Sequence, residues 1–400
     1  METRTIQTEV VIFGGGIAGL WLLNRLLAEG RSAYLFENKT LGGEQTIASQ
    51  GVIHGGLKYA LNGVLNDASE AIADMPGRWN ESFGGKGDLD LRSVRMLSDH
   101  QVLWSSGGIA SQVTSFFASK TLSSRARHLD REQYPPVLQN PRYKGSVFQL
   151  NERVVEPSSL VQVMAELGKG RIFSSGSGVT SRLLMKEGRV GAFELSQGSV
   201  SYRFEAGNYV FAAGQGNEEL LGQLKGMELP TMQRRPLHQV CVKSRRLTPF
   251  YAVALAASTK PPVVITTHYD KAGVPVWYLG GDLAETGVDF SEEEQIGRAR
   301  KLLGQLMPWV DLAGAQWRSH RVNRAEAIYP GGHRPPGSYC SKRGNAVICW
   351  PSKLALAPAL SDDVFKVLDK APLPLETNPD ALDGLPVPPV AEALWDRLFQ

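Results

Sequence analysis

The chain has 400 residues, of which 42% are hydrophobic and 21% charged, a composition typical of a globular protein with two or three domains. Its 43 basic and 40 acidic residues give a formal net charge of only +3, without long runs of one sign, so we expect no nucleic-acid partner. Three cysteines without C-x-x-C spacing predict a reducing, cytoplasmic location and no metal centre.

The chain has no apolar run as long as the roughly 18 residues that a membrane-spanning helix requires. We therefore expect no transmembrane segment, and peripheral association with a membrane stays open.

The stretch from Glu9 to Glu37 reads as strand, glycine turn, helix and strand. Gly14, Gly16 and Gly19 form a G-x-G-x-x-G turn, in which the chain bends sharply, a pyrophosphate approaches the backbone and the helix packs on its strand. Glu37 ends the second strand, where a carboxylate can bind ribose hydroxyls. The helix N-terminus would face the phosphates. The stretch predicts a dinucleotide site, which also includes Ile17, Ala18 and Asn38.

A polar loop, residues 38–59, follows the second strand, and loops of this length inside a domain are usually functional. Its second half, from Ser49 to Tyr59, reads SQGVIHGGLKY. This sequence resembles the loop that runs beside the flavin in the FAD-dependent D-amino acid oxidase superfamily. Within it, the likeness is greatest to the H-G-G-L-R-Y loop of FAD-dependent glycerol-3-phosphate dehydrogenases and the S-G-V-I-H loop of L-2-hydroxyglutarate oxidases. Lys58 stands where the first of these has arginine.

The resemblance implies that the cofactor is FAD, contacted by Ser49, Gln50, Gly51 and His54, with His54 near the isoalloxazine ring. In the related dimethylglycine dehydrogenase, a histidine of a similar loop binds the flavin covalently. A covalent link at His54 therefore stays open, as does a purely structural histidine.

A second cofactor segment follows a strand from Tyr209 to Ala213. The run NYVFAAGQGNEELL resembles the third glycine site of the superfamily. The resemblance implies that Ala213 and Gly214 contact FAD, as does Val155.

Two late segments complete the resemblance. Tyr329 to Pro335 resembles the G-x-R-P motif, which implies that Arg334 pairs with an anionic group of the substrate. A guanidinium suits this role because its planar fork grips carboxylate or phosphate oxygens in a bidentate manner. Pro351 to Ala355 matches the G-G-K-x-T-T stretch of glycerol-3-phosphate dehydrogenases only at Lys353. The match implies that Ser352, Lys353 and Leu354 face the pyrimidine edge of the flavin, where Lys353 would stabilise its reduced form.

The remaining patterns predict structural elements. Helical spacing across Leu65 to Phe83 predicts a helix that Pro76 bends or ends, and Pro358 should kink a later helix. We expect a hairpin around Glu187-Gly188, an N-capped helix from Ser291 to Pro308, and an amphipathic tail, Val390 to Phe399, docked on its own chain or on a partner. Alternating patterns predict strands at Leu89–Met96, Val102–Trp104, Leu237–Val242, Tyr251–Leu255, Val263–Thr267 and Val276–Leu279.

The predicted fold class is α/β, or α+β overall: an FAD-binding Rossmann-like domain interrupted by a mostly antiparallel β substrate domain. We assign residues 1–83, 151–231 and 336–371 to the FAD domain, 84–150 and 232–335 to the substrate domain, and 372–400 to a linker and tail. The resemblance implies hydride transfer from a small anionic hydroxy acid or glycerol-phosphate-like substrate to flavin N5.

In this interpretation His54, Arg334 and Lys353 are the catalytic residues, and the electron acceptor is oxygen, a quinone or a protein. Two alternatives stay open: an amine or amino-acid oxidase on the same fold, and a flavoprotein with an assembly or binding role.

Overall fold

The computed structural model describes residues 2–56, 72–105, 126–256, 260–329, 335–369, 382 and 384–400. The strands in these ranges are β1 (Glu2–Phe13), β2 (Ala33–Glu37), β3 (Met96–Ser98), β4 (Gln101–Ser105), β5 (Ala126–His128), β6 (Val147–Leu150), β7 (Val154–Val155), β8 (Ile172–Ser174), β9 (Thr180–Lys186), β10 (Arg189–Gln197), β11 (Val200–Phe211), β12 (Met232–Lys243), β13 (Ala252–Leu255), β14 (Val264–Tyr269), β15 (Pro275–Gly280), β16 (Gln316–Ala327), β17 (Tyr339–Arg343) and β18 (Ala346–Trp350). The α-helices are α1 (Ile17–Ala28), α2 (Met75–Phe83), α3 (Pro157–Leu167), α4 (Asn217–Leu221), α5 (Asp282–Glu285), α6 (Glu292–Leu306), α7 (Ala357–Val367) and α8 (Leu394–Leu398).

The first sheet has the strand order β17-β18-β11-β1-β2-β8, and the hairpin β9-β10 joins it through β11. Strands β18, β11, β1, β2 and β8 pair in parallel, which confirms the predicted Rossmann-like half. Helices α1, α3 and α7 bury their apolar sides on one face, and an aromatic cluster that includes Phe13, Phe36 and Phe211 fills the other. Strands such as β2 are apolar at nearly every position because both faces of this sheet are buried.

The second sheet has the order β16-β12-β15-β14-β13-β4-β6-β5 and is antiparallel except where β13 pairs with β4. Its outer face carries Val240, Val242 and Trp277 and packs in one core with α6. Ser291 and Glu294 form a capping box at the start of that helix, as expected. The inner face carries Gln239, Cys241 and Tyr278. The two sheets together confirm the predicted fold class.

The predicted strand Leu89–Met96 is wrong. Residues 92–94 form a turn, and strand pairing starts only at Met96, where β3 pairs with β7 in a separate two-stranded sheet. Leu89, Leu91 and Val94 are apolar because they fill the core around α1, and not because they alternate across a sheet. This segment therefore packs on the first sheet, although we assigned it to the substrate domain.

The two prolines expected to distort helices instead begin them. Pro76 lies in the first turn of α2 and Pro358 in the first turn of α7. A proline costs nothing there because its missing N–H would have no partner within the helix. The part of the predicted helix before Ile72 lies outside the described residues.

Candidate functional site

The glycine turn holds three chain segments in close contact. Gly14 has φ +109°, and a Cβ built on it would lie 2.5 Å from Ala213 Cα. A Cβ on Gly19 would lie 2.0 Å from the carbonyl oxygen of Gly14. The first position thus lets the third glycine site approach, and the last lets α1 pack on β1.

The N-terminus of α1 is suited to an anion. Its N-cap residue is Gly16, which has no side chain that could cap the helix, and the first turn has no acidic residue. A Cβ on Gly16 would meet Thr46 Oγ1 at 3.4 Å as its nearest neighbour, so there is room before the helix. The positive end of the helix dipole and this space fit a pyrophosphate. Thr46, which accepts a hydrogen bond of 3.0 Å from the Ile17 N–H, was not predicted from the sequence.

Glu37 lies beside this turn. Its Oε2 accepts a hydrogen bond of 2.7 Å from the Gly15 N–H, and its Oε1 accepts one of 2.8 Å from the Lys39 N–H. A carboxylate has about four lone-pair positions, so it keeps capacity for ribose hydroxyls. Gly176 also belongs to this end, because a Cβ there would lie 1.8 Å from the Asn38 carbonyl oxygen. We missed it, although the G-S-G run after β8 was a signal.

The loop that carries His54 is tightly constrained. Gly51 has φ +70°, and a Cβ on it would lie 2.0 Å from the Val155 carbonyl oxygen. The Val155 N–H in turn donates to the Gly51 carbonyl at 2.9 Å, so these two predicted residues are adjacent. His54 is 9% exposed. The next amide, of Gly55, donates to Oε1 of the buried Glu152 at 2.8 Å. Glu152, a carboxylate two residues before an apolar strand, was not predicted from the sequence.

Helix α2 joins the His54 loop to the segment that carries Lys353. A Cβ on Gly55 would lie 3.1 Å from Pro76 Cγ, and the Trp79 indole N–H donates to the Ala355 carbonyl at 2.9 Å. The Nζ atom of Lys353 is buried, so this side chain does not extend into solvent. The His54 loop and the Lys353 segment thus both contact helix α2.

Ser352 has φ +55°, rare for a residue with a side chain, and its hydroxyl donates to the Gly337 carbonyl at 2.9 Å. This bond fixes the turn that leads from β18 to Lys353 and Leu354. Gly214 also has a positive φ, and its carbonyl accepts a hydrogen bond of 2.9 Å from the Trp350 indole. Arg334 and Lys58 lie outside the described residues.

The second sheet lies against the same loop. The Gln50 amide donates to the carbonyls of Val264 and Tyr278 at 3.1 and 3.0 Å, so its side chain points to this sheet. The Tyr278 hydroxyl lies within hydrogen-bond distance of two acceptors, the Ala48 carbonyl at 2.9 Å and Gln239 Oε1 at 2.5 Å. Burial raises the pKa of this hydroxyl well above its ordinary value. Tyr278 therefore stays neutral and keeps its proton for these two acceptors, one on the loop and one on the second sheet.

The family model described as FAD dependent oxidoreductase, DAO, matches residues 9–338. The chain belongs to this family. Its cofactor is accordingly FAD and its activity is that of an FAD-dependent oxidoreductase. The glycine turn, the open N-terminus of α1 and Glu37 fit the adenosine diphosphate half of that cofactor.

The chain is similar along its whole length to the probable FAD-dependent oxidoreductase PA4991 of Pseudomonas aeruginosa, with 46% identity over 398 residues, 99% of each chain. The crystal structure of that protein superposes with a TM-score of 0.82, covering 98% of this chain and 99% of that one, at 38% identity over the superposed residues.

Two solved structures of much lower sequence identity share the fold. Glycine oxidase from Geobacillus kaustophilus superposes with a TM-score of 0.64 and 14% identity, covering 94% of this chain and 98% of that one. An L-α-glycerophosphate oxidase from Mycoplasma pneumoniae, solved with FAD bound, gives a TM-score of 0.62 and 13% identity, covering 93% of this chain and 97% of that one. Within the described ranges, no helix is long and apolar enough to cross a bilayer.

Proposed function

We propose that this flavoenzyme oxidises a small anionic compound with a hydroxyl on the reacting carbon, a hydroxy acid or a glycerol-phosphate-like molecule. The observation that carries the proposal is the loop from Ser49 to Gly56. Its sequence resembles the loops of enzymes with such substrates, and it is held between the segment from Glu152 to Val155, α2 and the second sheet. His54, within this loop, is buried.

In this proposal, bound FAD supplies the acceptor for the electrons of the donor C–H bond. Arg334 holds the anionic group of the substrate, because a bidentate guanidinium fixes both the position and the orientation of the reacting carbon. His54 accepts the hydroxyl proton, a role that suits an imidazole near neutral pH. Lys353 adds positive charge beside the pyrimidine edge of the flavin.

An amino acid is the second candidate substrate, since glycine oxidase shares this fold. Anaerobic mixing of the yellow protein with hydroxy acids, glycerol phosphates and amino acids separates the two. We expect hydroxyl-bearing anions to bleach the visible absorbance of the flavin. Bleaching by amino acids alone would refute the first proposal and support the second.

The role of Arg334 is tested by Arg334→Ala. We expect KM for the anionic substrate to rise about a hundredfold, the factor that corresponds to roughly 3 kcal/mol of charge-assisted hydrogen bonding. The matched control is Arg182→Ala on β9, whose side chain is 71% exposed and pairs with Glu194. An unchanged KM in Arg334→Ala would show that another residue binds the anion.

The second alternative, a flavoprotein with an assembly or binding role, would use the tail as its contact, but the tail is occupied within this chain. Leu394 and Trp395 are fully buried against Cys241, Val276 and Tyr278 of the same chain.

A further inference from the structure

We propose that the C-terminal strap, residues 384–400, holds the loop from Leu41 to Thr46 closed over bound FAD and ties this closure to the second sheet. Three sets of contacts support the proposal: those of the strap with the first sheet, with Leu41 and with the second sheet. The inference rests on the FAD dependence of the family and is independent of the donor proposed above.

The first end of the strap crosses the adenosine end of the site. The Ser174 N–H at the end of β8 donates to the Pro386 carbonyl at 2.7 Å. Ser174 is the register partner of Glu37 in the first sheet. Leu385 is buried in the aromatic core beneath that sheet. The strap is therefore fixed one strand away from the carboxylate that is predicted to bind the ribose.

The middle of the strap pairs with Leu41. The Leu41 N–H donates to the Pro389 carbonyl at 2.8 Å, and the Ala391 N–H donates to the Leu41 carbonyl at 3.0 Å. These two bonds make an isolated parallel bridge between Leu41 and Val390. Both backbone groups of a loop residue are thus satisfied by the C-terminus of the chain.

Leu41 is also the residue that covers the glycine turn. It is 1% exposed, and a Cβ on Gly15 would lie 2.5 Å from its Cδ2 atom. The next residue, Gly42, donates its N–H to the Gly15 carbonyl at 2.8 Å. Four residues after Gly42 is Thr46, which accepts a hydrogen bond from the Ile17 N–H at the start of α1. A strap that positions Leu41 consequently positions the loop against the phosphate-binding turn.

The last part of the strap is anchored in the second sheet. Trp395 stacks on His268, with ring centroids 4.0 Å apart and an interplanar angle of 21°. The Lys271 N–H donates to Asp396 Oδ1 at 2.7 Å. His268 in turn contacts Thr266, with Nε2 and Oγ1 3.0 Å apart, and Thr266 accepts a weak hydrogen bond of 3.4 Å from Gln50. The anchor thus reaches the sheet that also binds the His54 loop.

The test compares Trp395→Ala with Trp317→Ala in the FAD-loaded, full-length protein. Trp317 is a buried tryptophan of the same sheet, but it lies on the outer face in the core with α6. Hydrogen exchange of the Leu41 and Gly42 amides is measured under conditions in which both variants stay folded by circular dichroism. We expect these amides to exchange about tenfold faster in Trp395→Ala, because the loop can then open locally without breaking the contacts of Trp395. Their exchange rates should be unchanged in Trp317→Ala.

Release of FAD after dilution, followed by flavin fluorescence, should accelerate by a similar factor in the first variant alone. If Trp395→Ala does not fold, Ala391→Pro removes the N–H that donates to Leu41, and Ala393→Pro, at a φ of −57° that suits proline, is its control for the effect of a proline ring in the strap. Equal exchange at Leu41 in either test variant and its control would overturn the proposal. The exchange measurement applies whether or not the flavin is covalently bound.

Discussion

At the scale of single residues, the space around a backbone atom decides which side chains the site tolerates. Gly19 lies on the side of α1 that faces β1, where even a methyl group would overlap the Gly14 carbonyl. Gly297, in the middle of α6, has no heavy atom within 4 Å of a built Cβ. The same residue type therefore has opposite importance in two helices.

We expect Gly19→Ala to lower the free energy of unfolding by about 1–3 kcal/mol through overpacking, and to weaken FAD binding because the turn must shift. Gly297→Ala is the control and should gain about 0.5–1 kcal/mol from helix propensity. Thermal unfolding and FAD titration of the apoprotein measure both effects. A Gly19→Ala protein as stable as the wild type would show that α1 can move away from β1 at little cost.

At the scale of elements, one carboxylate connects three helices. Asp362 on α7 accepts a hydrogen bond from Arg25 of α1 at 2.5 Å and from Arg78 of α2 at 2.9 Å. Burial raises the pKa of Asp362, but the hydrogen bonds from Arg78 and Arg25 outweigh it, so the pKa lies below the ordinary value. The two arginines are largely buried, and each would lose a charged partner without Asp362. Helix α2 is the element that joins the His54 and Lys353 segments.

Asp362→Ala should therefore lower the free energy of unfolding by about 2 kcal/mol, a value limited by solvent screening of a carboxylate that is 37% exposed. Asp363→Ala is the control, since Asp363 is equally exposed but joins no second helix: it pairs with Lys366, whose side chain is 72% exposed, and accepts a hydrogen bond from the Ser338 hydroxyl. Its cost should stay below about 1 kcal/mol. Urea unfolding of the two variants measures the difference. Equal losses would mean that the three-helix network adds nothing to an ordinary surface pair.

At the scale of the whole molecule, the interior sets the response to pH. Burial lowers the pKa of His268 to about 3, and burial together with Arg397 and His238 lowers that of His320 to about 4. Between pH 6.5 and these values, the unfolded chain binds protons that the folded chain does not. Stability therefore falls as the pH falls through this range.

From pH 6 to pH 4, His268 alone should remove about 2–3 kcal/mol from the free energy of unfolding. In His268→Gln the decrease should be smaller by this amount, and in His320→Gln by less, because the pKa of His320 is lowered less. Urea midpoints of the three proteins at both pH values give the comparison. A wild-type decrease that His268→Gln does not reduce would indicate that His268 is protonated in the folded protein.

The amino-acid sequence alone determined the strand, glycine turn, helix and strand from Glu9 to Glu37. The glycine turn, the helix after it and Glu37 were recognisable because steric limits on φ and close backbone approach act within about thirty residues. Several strands of both sheets were likewise predicted by their apolar patterns, although β16 was not, and the loop around His54 indicated FAD through its likeness to known flavoenzymes. The predicted strand at Leu89 and Leu91 was wrong because these apolar residues fill a core and do not alternate across a sheet.

Only the tertiary structure decided which distant residues complete the site. Glu152 accepts from Gly55, Gln50 binds the strands of Val264 and Tyr278, and Pro389 and Ala391 bind Leu41. Such partners are separated by about a hundred to several hundred residues, and their pairing depends on sheet order and on the packing of helices between the sheets. A single sequence does not encode that register locally, because any buried strand offers the same backbone donors and acceptors.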